Sequence, residues 1–203
     1  NEMGNPFNVQ NDLFERATGI SNVMEQLKVI NSKHSNISDF NKTELETGIL
    51  SYKFLNSNES ASITLQIVSN KTQELYLYLK GNDKINSWTA TDGITAKNIS
   101  MIDEAYIIDF GTIYAGIPVT VTIPLKKEKT SGNIKFYAFG LNKESFINGY
   151  NKLSDGALKD YTIKDGHIKG KINVKENETV FTSIPYDKNW NVYIDGIKLN
   201  KNE

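Results

Sequence analysis

His34 and His167 are the only histidines in the chain, and with no cysteine beside them they leave little material for metal or nucleophile chemistry. Neither has a second ligand at a metal-binding spacing, and His167 flanks an Asp165-Gly166 turn, where a solvated ring is expected. Carboxylates are plentiful, so a pair of them working as acid and base on a glycoside is the one catalytic constellation the composition permits. Asp109, Asp155, Asp160, Asp165, Asp187 and Asp195 nevertheless fall mainly at strand ends and turns. There a short acid accepts backbone N–H groups, and turn chemistry is the preferred reading. Calcium is considered at Asn82-Asp83 and Asp103-Glu104, although neither lies in a ligand loop of recognisable spacing. No phosphate-cradling glycine loop, nucleophile elbow or metalloprotease helix occurs, and nothing calls for a cofactor.

Aromatic rings offer binding chemistry instead. Tyr76, Tyr78, Tyr106, Tyr114, Tyr137 and Tyr193, with Trp88 and Trp190, suit either stacking on the apolar face of a sugar or plain sheet and core packing, and packing is the commoner use. Trp88 lies between a turn-like 81–87 segment and an Asp92-Gly93 turn, which makes it the ring expected on an accessible, concave sandwich face. The second candidate is Tyr186, Asp187 and Trp190. Pro185 interrupts a ladder and Lys188-Asn189 suits a tight turn, so a corner is expected to project between two strands of the last sheet. The preferred local roles are for Asp187 to hold that turn and for Trp190, in phase with Val192 and Ile194, to enter a small core. Docking onto another surface is the alternative.

The elements that position these residues follow from periodicity. Asn5 as N-cap, Pro6 at the first helical position, apolar Phe7, Phe14 and Ala17, and Gly19 as terminator predict an N-terminal helix. Residues 20–44 are polar and ambiguous, with room for a short strand or helix around Val23 to Ile30 but no element assigned there. From residue 45 the period becomes two: Ile63, Leu65 and Ile67 alternate with polar residues, and so do Leu75, Leu77 and Leu79. Ile117, Val119, Val121, Ile123 and Leu125 share a face, with Pro118 and Pro124 on the other, so this strand is expected at an edge or beside bulges. Further runs at 47–55, 94–101, 104–110 and 133–140 complete a β-sandwich of jelly-roll or immunoglobulin-like type. A second helix follows, capped by Asn142 and ended by Asp155-Gly156. Two hairpins turning at Asp165-Gly166 and Asp195-Gly196 then form a small antiparallel sheet beneath it. The expected fold class is therefore mainly β: a jelly-roll-like sandwich at 45–141, a helix plus antiparallel sheet at 142–203, and an N-terminal helix with extended linker at 1–44.

Composition narrows the class of partner. With 23 Lys+Arg against 24 Asp+Glu among 203 residues, no basic field exists to hold nucleic acid. No stretch approaches the roughly 20 apolar residues of a membrane helix. The six Asn-x-Ser/Thr triplets are discounted as glycosylation signals because 24 asparagines generate such triplets by chance.

The segment from Thr182 to Leu199, TSIPYDKNWNVYIDGIKL, closely resembles the C-terminal motif of the YfhO family of bacterial multi-pass membrane proteins. The resemblance is carried by Ser183, Ile184, Pro185, Tyr186, Asp187, Lys188 and Trp190, then Tyr193, Asp195 and Gly196, with Asn189 where the family has glycine. It extends to Asn5-Pro6-Phe7 and Gln10-Asn11-x-Leu13-Phe14 at the start, and to the 142–156 helix leading into Ile168-Lys169-Gly170. The resemblance implies a large extracytoplasmic domain of a polyprenyl-phosphate-sugar glycosyltransferase that decorates cell-wall polymers such as lipoteichoic acid. Its partners would be the membrane-embedded part of the same polypeptide and a cell-wall glycopolymer. It also implies that the catalytic acid sits in the helical part, so no residue here is assigned that role. The rival expectations are an independent carbohydrate-binding or adhesion module and, more distantly, a glycoside hydrolase using two turn carboxylates.

Overall fold

A computed structural model describes residues 4–40, 48–81, 85, 87–100, 105–175, 178–182, 184–185 and 187–200. The chain divides into two compact units, 1–155 and 156–203. The first opens with α1, Pro6–Thr18, bounded as its caps require. Asn5 Oδ1 accepts the Phe7 N–H at 3.0 Å, and Gly19 adopts φ 71° while donating its N–H to Glu15 O at 2.7 Å. Strand β1, Met24–Gln26, follows. The Asn11 amide makes two 2.8 Å bonds to the Met24 backbone, one to its N–H and one to its C=O, acting as a neighbouring strand would. Phe7 is fully buried and stacks on Phe139 with ring centroids 4.4 Å apart. Much of the N-terminal motif thus has a structural job, fastening the helix to the sandwich.

Ten further strands build that sandwich: β2 (Val29–Ser35), β3 (Ile37–Phe40), β4 (Ile49–Phe54), β5 (Ala61–Ile67), β6 (Gln73–Gly81), β7 (Ser87–Thr91), β8 (Ala96–Ser100), β9 (Ile107–Ile113), β10 (Val119–Leu125) and β11 (Ser131–Leu141). One sheet runs β3-β4-β11-β6-β9, with β1 also on β11, and the other runs β2-β5-β10-β7-β8. Setting aside the outer β2 and β3, strands β4 to β11 alternate as β4-β11-β6-β9 against β5-β10-β7-β8. That is the four-on-four order of a jelly roll. Alternation sends Ile63, Leu65 and Ile67 of β5, Val119, Val121 and Ile123 of β10 and Leu75, Leu77 and Leu79 of β6 into one shared core. A second cluster on the opposite face of the first sheet packs Phe7, Val23 and Met24 against Tyr78, Tyr137 and Phe139. Strand occupies 48% of the described residues and helix 15%, so β structure dominates as the periodicity predicts.

Two local expectations need correction. β10 is an interior strand, paired with β5 over its whole length and with β7 only at 120–122. Pro124 is tolerated because it lies beyond the last residue paired with β7. The patternless stretch after residue 20 contains β1, β2 and β3, whose polar faces mark outer strands of their sheets. The second helix, α2 (Lys143–Asp155), is capped by Asn142 Oδ1 on the Ser145 N–H at 3.1 Å, as expected, and packs against α1. Phe14 and Phe146 stack at 5.9 Å, and Lys152 Nζ donates to Thr18 O at 3.0 Å.

The second unit contains β12 (Lys159–Lys164) with β13 (His167–Lys171), and β14 (Tyr193–Ile194) with β15 (Ile197–Lys198). Both Asp-Gly turns have positive φ at each residue: Asp165 50° and Gly166 75°, Asp195 49° and Gly196 83°. These are the values a two-residue turn needs to match the strands' right-handed twist. Ile163 faces Ile168, Ile194 faces Ile197, and Leu199 N donates to Val192 O at 3.0 Å, so the expected registers hold. The expected four-stranded sheet does not form among the described residues, where two separate ladders stand instead.

Candidate functional site

From Asp187 to Trp190 the chain makes the expected tight turn, but no strand leads into it among the described residues, so this corner precedes β14 and does not join two strands. Asp187 Oδ1 accepts the Asn189 N–H at 2.7 Å, and Asp187 O accepts the Trp190 N–H at 3.1 Å, closing a turn around Lys188 and Asn189. Asn189 is not among the residues with positive φ, so asparagine occupies this position without strain. Asp187 thus holds the turn. Trp190 does not enter a core: its side chain stays 39% exposed, and Tyr193 beyond it is exposed too. The corner exposes an indole, and Tyr193 on β14 exposes a phenol, rings of a kind that stack on a sugar or pack on another protein surface. Tyr186, the third residue of this candidate, lies outside the described residues, as do Ser183 and the calcium candidates Asn82-Asp83 and Asp103-Glu104.

Trp88 is the clearest correction. It sits on β7 paired with Ile99 of β8, is 1% exposed, and belongs to the sandwich core with Ala90 and Phe110. No sugar can stack on it. Its Nε1–H has no hydrogen-bond partner among the described residues. Tyr78 and Tyr137 are similarly occupied, buried as a stacked pair with centroids 6.1 Å apart in the cluster that also holds Phe7 of α1. Burial pushes the phenols of Tyr76, Tyr78 and Tyr137 up, which keeps them neutral.

The carboxylates behave mainly as turn formers. Asp92 accepts the Thr95 N–H at 2.6 Å and the Ile94 N–H at 2.9 Å, and those two bonds hold its carboxyl below the ordinary range. Glu25 is held low by the hydrogen bond from Lys71 at 2.6 Å, against a smaller opposing effect of burial and with help from Asn142. Among the described residues no three His, Asp or Glu side chains converge on a point where a metal ion would sit. His34 lies on β2 and His167 on β13, in different units.

Sequence reasoning missed two open grooves. One, of about 570 Å³, crosses β3, β4 and β11, where Asp39, Lys53 and Ser131 form a cross-strand row beside Ser51 and Asn133. The other, of about 450 Å³, lies beside α1 and β1 and is lined by Asn8, Asn22 and Gln26 above Phe139. Neither follows from local pattern, because each needs strands distant in the chain to be neighbours.

The family described as "Bacterial membrane protein YfhO" matches residues 2–203, almost the whole chain. No curated protein matches it. No described helix is long and apolar enough to cross a membrane.

Proposed function

Because this chain belongs to the YfhO family of bacterial membrane proteins, we propose that it is an extracytoplasmic, non-catalytic domain of a multi-pass membrane glycosyltransferase that decorates cell-wall polymers such as lipoteichoic acid. The family match over residues 2–203 is the observation that carries this reading. The 187–190 corner is its contact element, holding the acceptor polymer or docking onto the membrane-embedded part of the same polypeptide. Two features support that role. The turn is held by the Asp187 carboxylate and by the backbone bond from Trp190 N–H to Asp187 O, so the Trp190 side chain is not needed to close it, and the indole is left accessible.

The test is the full-length protein in cells that depend on it for wall-polymer glycosylation. Trp190→Ala is expected to lower glycosylation at least tenfold while the isolated domain loses no more than about 2 kcal/mol, less than a buried tryptophan would cost. Unchanged glycosylation refutes the contact role. A loss of glycosylation that only tracks loss of folded protein returns Trp190 to a structural one.

A second reading, an independent carbohydrate-binding or adhesion module, has the amide-lined groove beside α1 in its favour. Carboxamides donate and accept at once, as vicinal hydroxyls require. Glycan-array binding by the isolated chain that disappears in Asn8→Ala/Gln26→Ala and survives Trp190→Ala would select this reading.

A further inference from the structure

The β12–β13 hairpin has two chemically opposite faces and little to cover either. Ile163 pairs with Ile168, and the place a side chain would occupy at Gly170 is filled by Leu158, with its Cγ 2.5 Å from an ideal Cβ. This makes one continuous apolar face, on which Ile163 remains 69% exposed. The other face carries Lys164 opposite His167, then Lys169 and Lys171 at the two-residue period. Asp165 and Asp160 approach Lys164 and Lys171 at 4.0 and 3.5 Å, with every one of those side chains more than 70% exposed. Such pairs are screened and neutralise little, so the lysine face keeps most of its positive character. Tyr161 adds an exposed ring.

We propose that this hairpin lies flat on an anionic lipid surface, its isoleucine face at the boundary of the acyl chains and its lysine face among the phosphates. Apolar on one side, lysine-rich on the other, with an aromatic ring at the margin, it has the chemistry of an interfacial element. A sheet is about 10 Å thick, similar to the depth of the headgroup layer, so both faces are matched at once. A soluble polyanion would engage the lysines but leave the isoleucines uncovered, and a second protein copy would cover the isoleucines but offer nothing to the lysines. Deeper insertion is excluded by the two open edges of a two-stranded ladder, whose unpaired backbone groups need water or headgroups. A chain belonging to a membrane protein family has such a surface nearby. The inference requires only that family membership. It stands or falls separately from the acceptor role of the corner.

The test is co-sedimentation of the whole 203-residue chain with vesicles of phosphatidylcholine alone or mixed with phosphatidylglycerol. Binding is expected only to the anionic vesicles, weakening with added salt. Ile163→Ser/Ile168→Ser is expected to reduce it about tenfold, and Lys164→Gln/Lys169→Gln by about tenfold or more. Lys164→Arg/Lys169→Arg should retain it, which separates loss of charge from loss of the hairpin. The proposal is overturned if the wild-type chain ignores anionic vesicles or the isoleucine variant binds them unchanged. It is equally overturned if soluble polyphosphate displaces the chain while the isoleucine variant competes as well as wild type, or if the apolar face proves to be covered by a second copy in lipid-free sedimentation.

Discussion

Replacing Trp88 discriminates sharply between a core residue and a ligand platform. At 1% exposure, inside a cluster shared by both sheets, its truncation to alanine removes nearly the whole indole contact and leaves a cavity that two hydrogen-bonded sheets cannot collapse. A cost of about 3 to 5 kcal/mol follows, equivalent to a fall of roughly 6 to 20 °C in the melting temperature of a domain this size. Trp88→Phe separates two contributions. It opens a void on the order of 40 Å³, which at about 24 cal/mol per Å³ costs near 1 kcal/mol, and loses about 1 kcal/mol more of transfer energy for roughly 40 Å² less buried surface. It also deletes the Nε1–H that finds no partner, relieving about 1 to 3 kcal/mol of desolvation. The two nearly cancel, so Trp88→Phe is expected within about 1 kcal/mol of wild type. Urea unfolding followed by far-ultraviolet circular dichroism measures both variants. If Trp88→Phe proves as costly as Trp88→Ala, the Nε1–H is satisfied in solution and the argument fails. If Trp88→Ala melts like wild type, the core assignment fails with it.

Three other substitutions probe how the helices are fastened. Asn11→Ala leaves the Met24 N–H and C=O without their 2.8 Å partners and is expected to cost about 1 to 3 kcal/mol, with faster hydrogen exchange at the Met24 amide. Gly149→Ala brings a Cβ to 2.2 Å from the Phe14 ring, and overpacking of about 1 to 3 kcal/mol outweighs a helix-propensity gain of about 1; a raised melting temperature would contradict this. Glu25 has a folded pKa below its ordinary 4.5, so its ion pair with Lys71 stabilises fully above that pH and fades as the pH falls through the folded value. Since the two side chains are 36% and 44% exposed, Glu25→Gln should cost only a few tenths of a kcal/mol at pH 7, and less as the pH falls through the folded value, as read from urea midpoints along a descending pH series.

Where a structural decision is local, the residues alone determined it. Asn5, Pro6 and Gly19 set the ends of α1, because orphan N–H and C=O groups are satisfied within one turn of the helix. Asp165-Gly166 and Asp195-Gly196 set both hairpin registers, because a two-residue turn leaves only one pairing. The alternation of β5, β6 and β10 revealed their inward faces, and the 183–196 motif together with the N-terminal one carried the family.

Decisions about neighbours belonged to the tertiary structure. Ser87 and Thr89 flank Trp88 with Ala90 beyond, an alternation too weakly apolar to read, and only the sheet pairing shows that the indole is core. Pro124 argued for an edge, yet whether a proline disrupts a ladder depends on where the adjacent strand stops pairing, here three residues of β7. The apolar stripe of α2 specified a partner but not which one, and α1, far away in sequence, packs against it. Trp190 is in phase with Val192 and Ile194, but phase fixes only a direction. Burial needs something on that side, and the structure leaves the indole 39% exposed. Spacing along the chain reports which way a side chain points, while what it meets there depends on strands and helices brought together by packing across distances that no local pattern records.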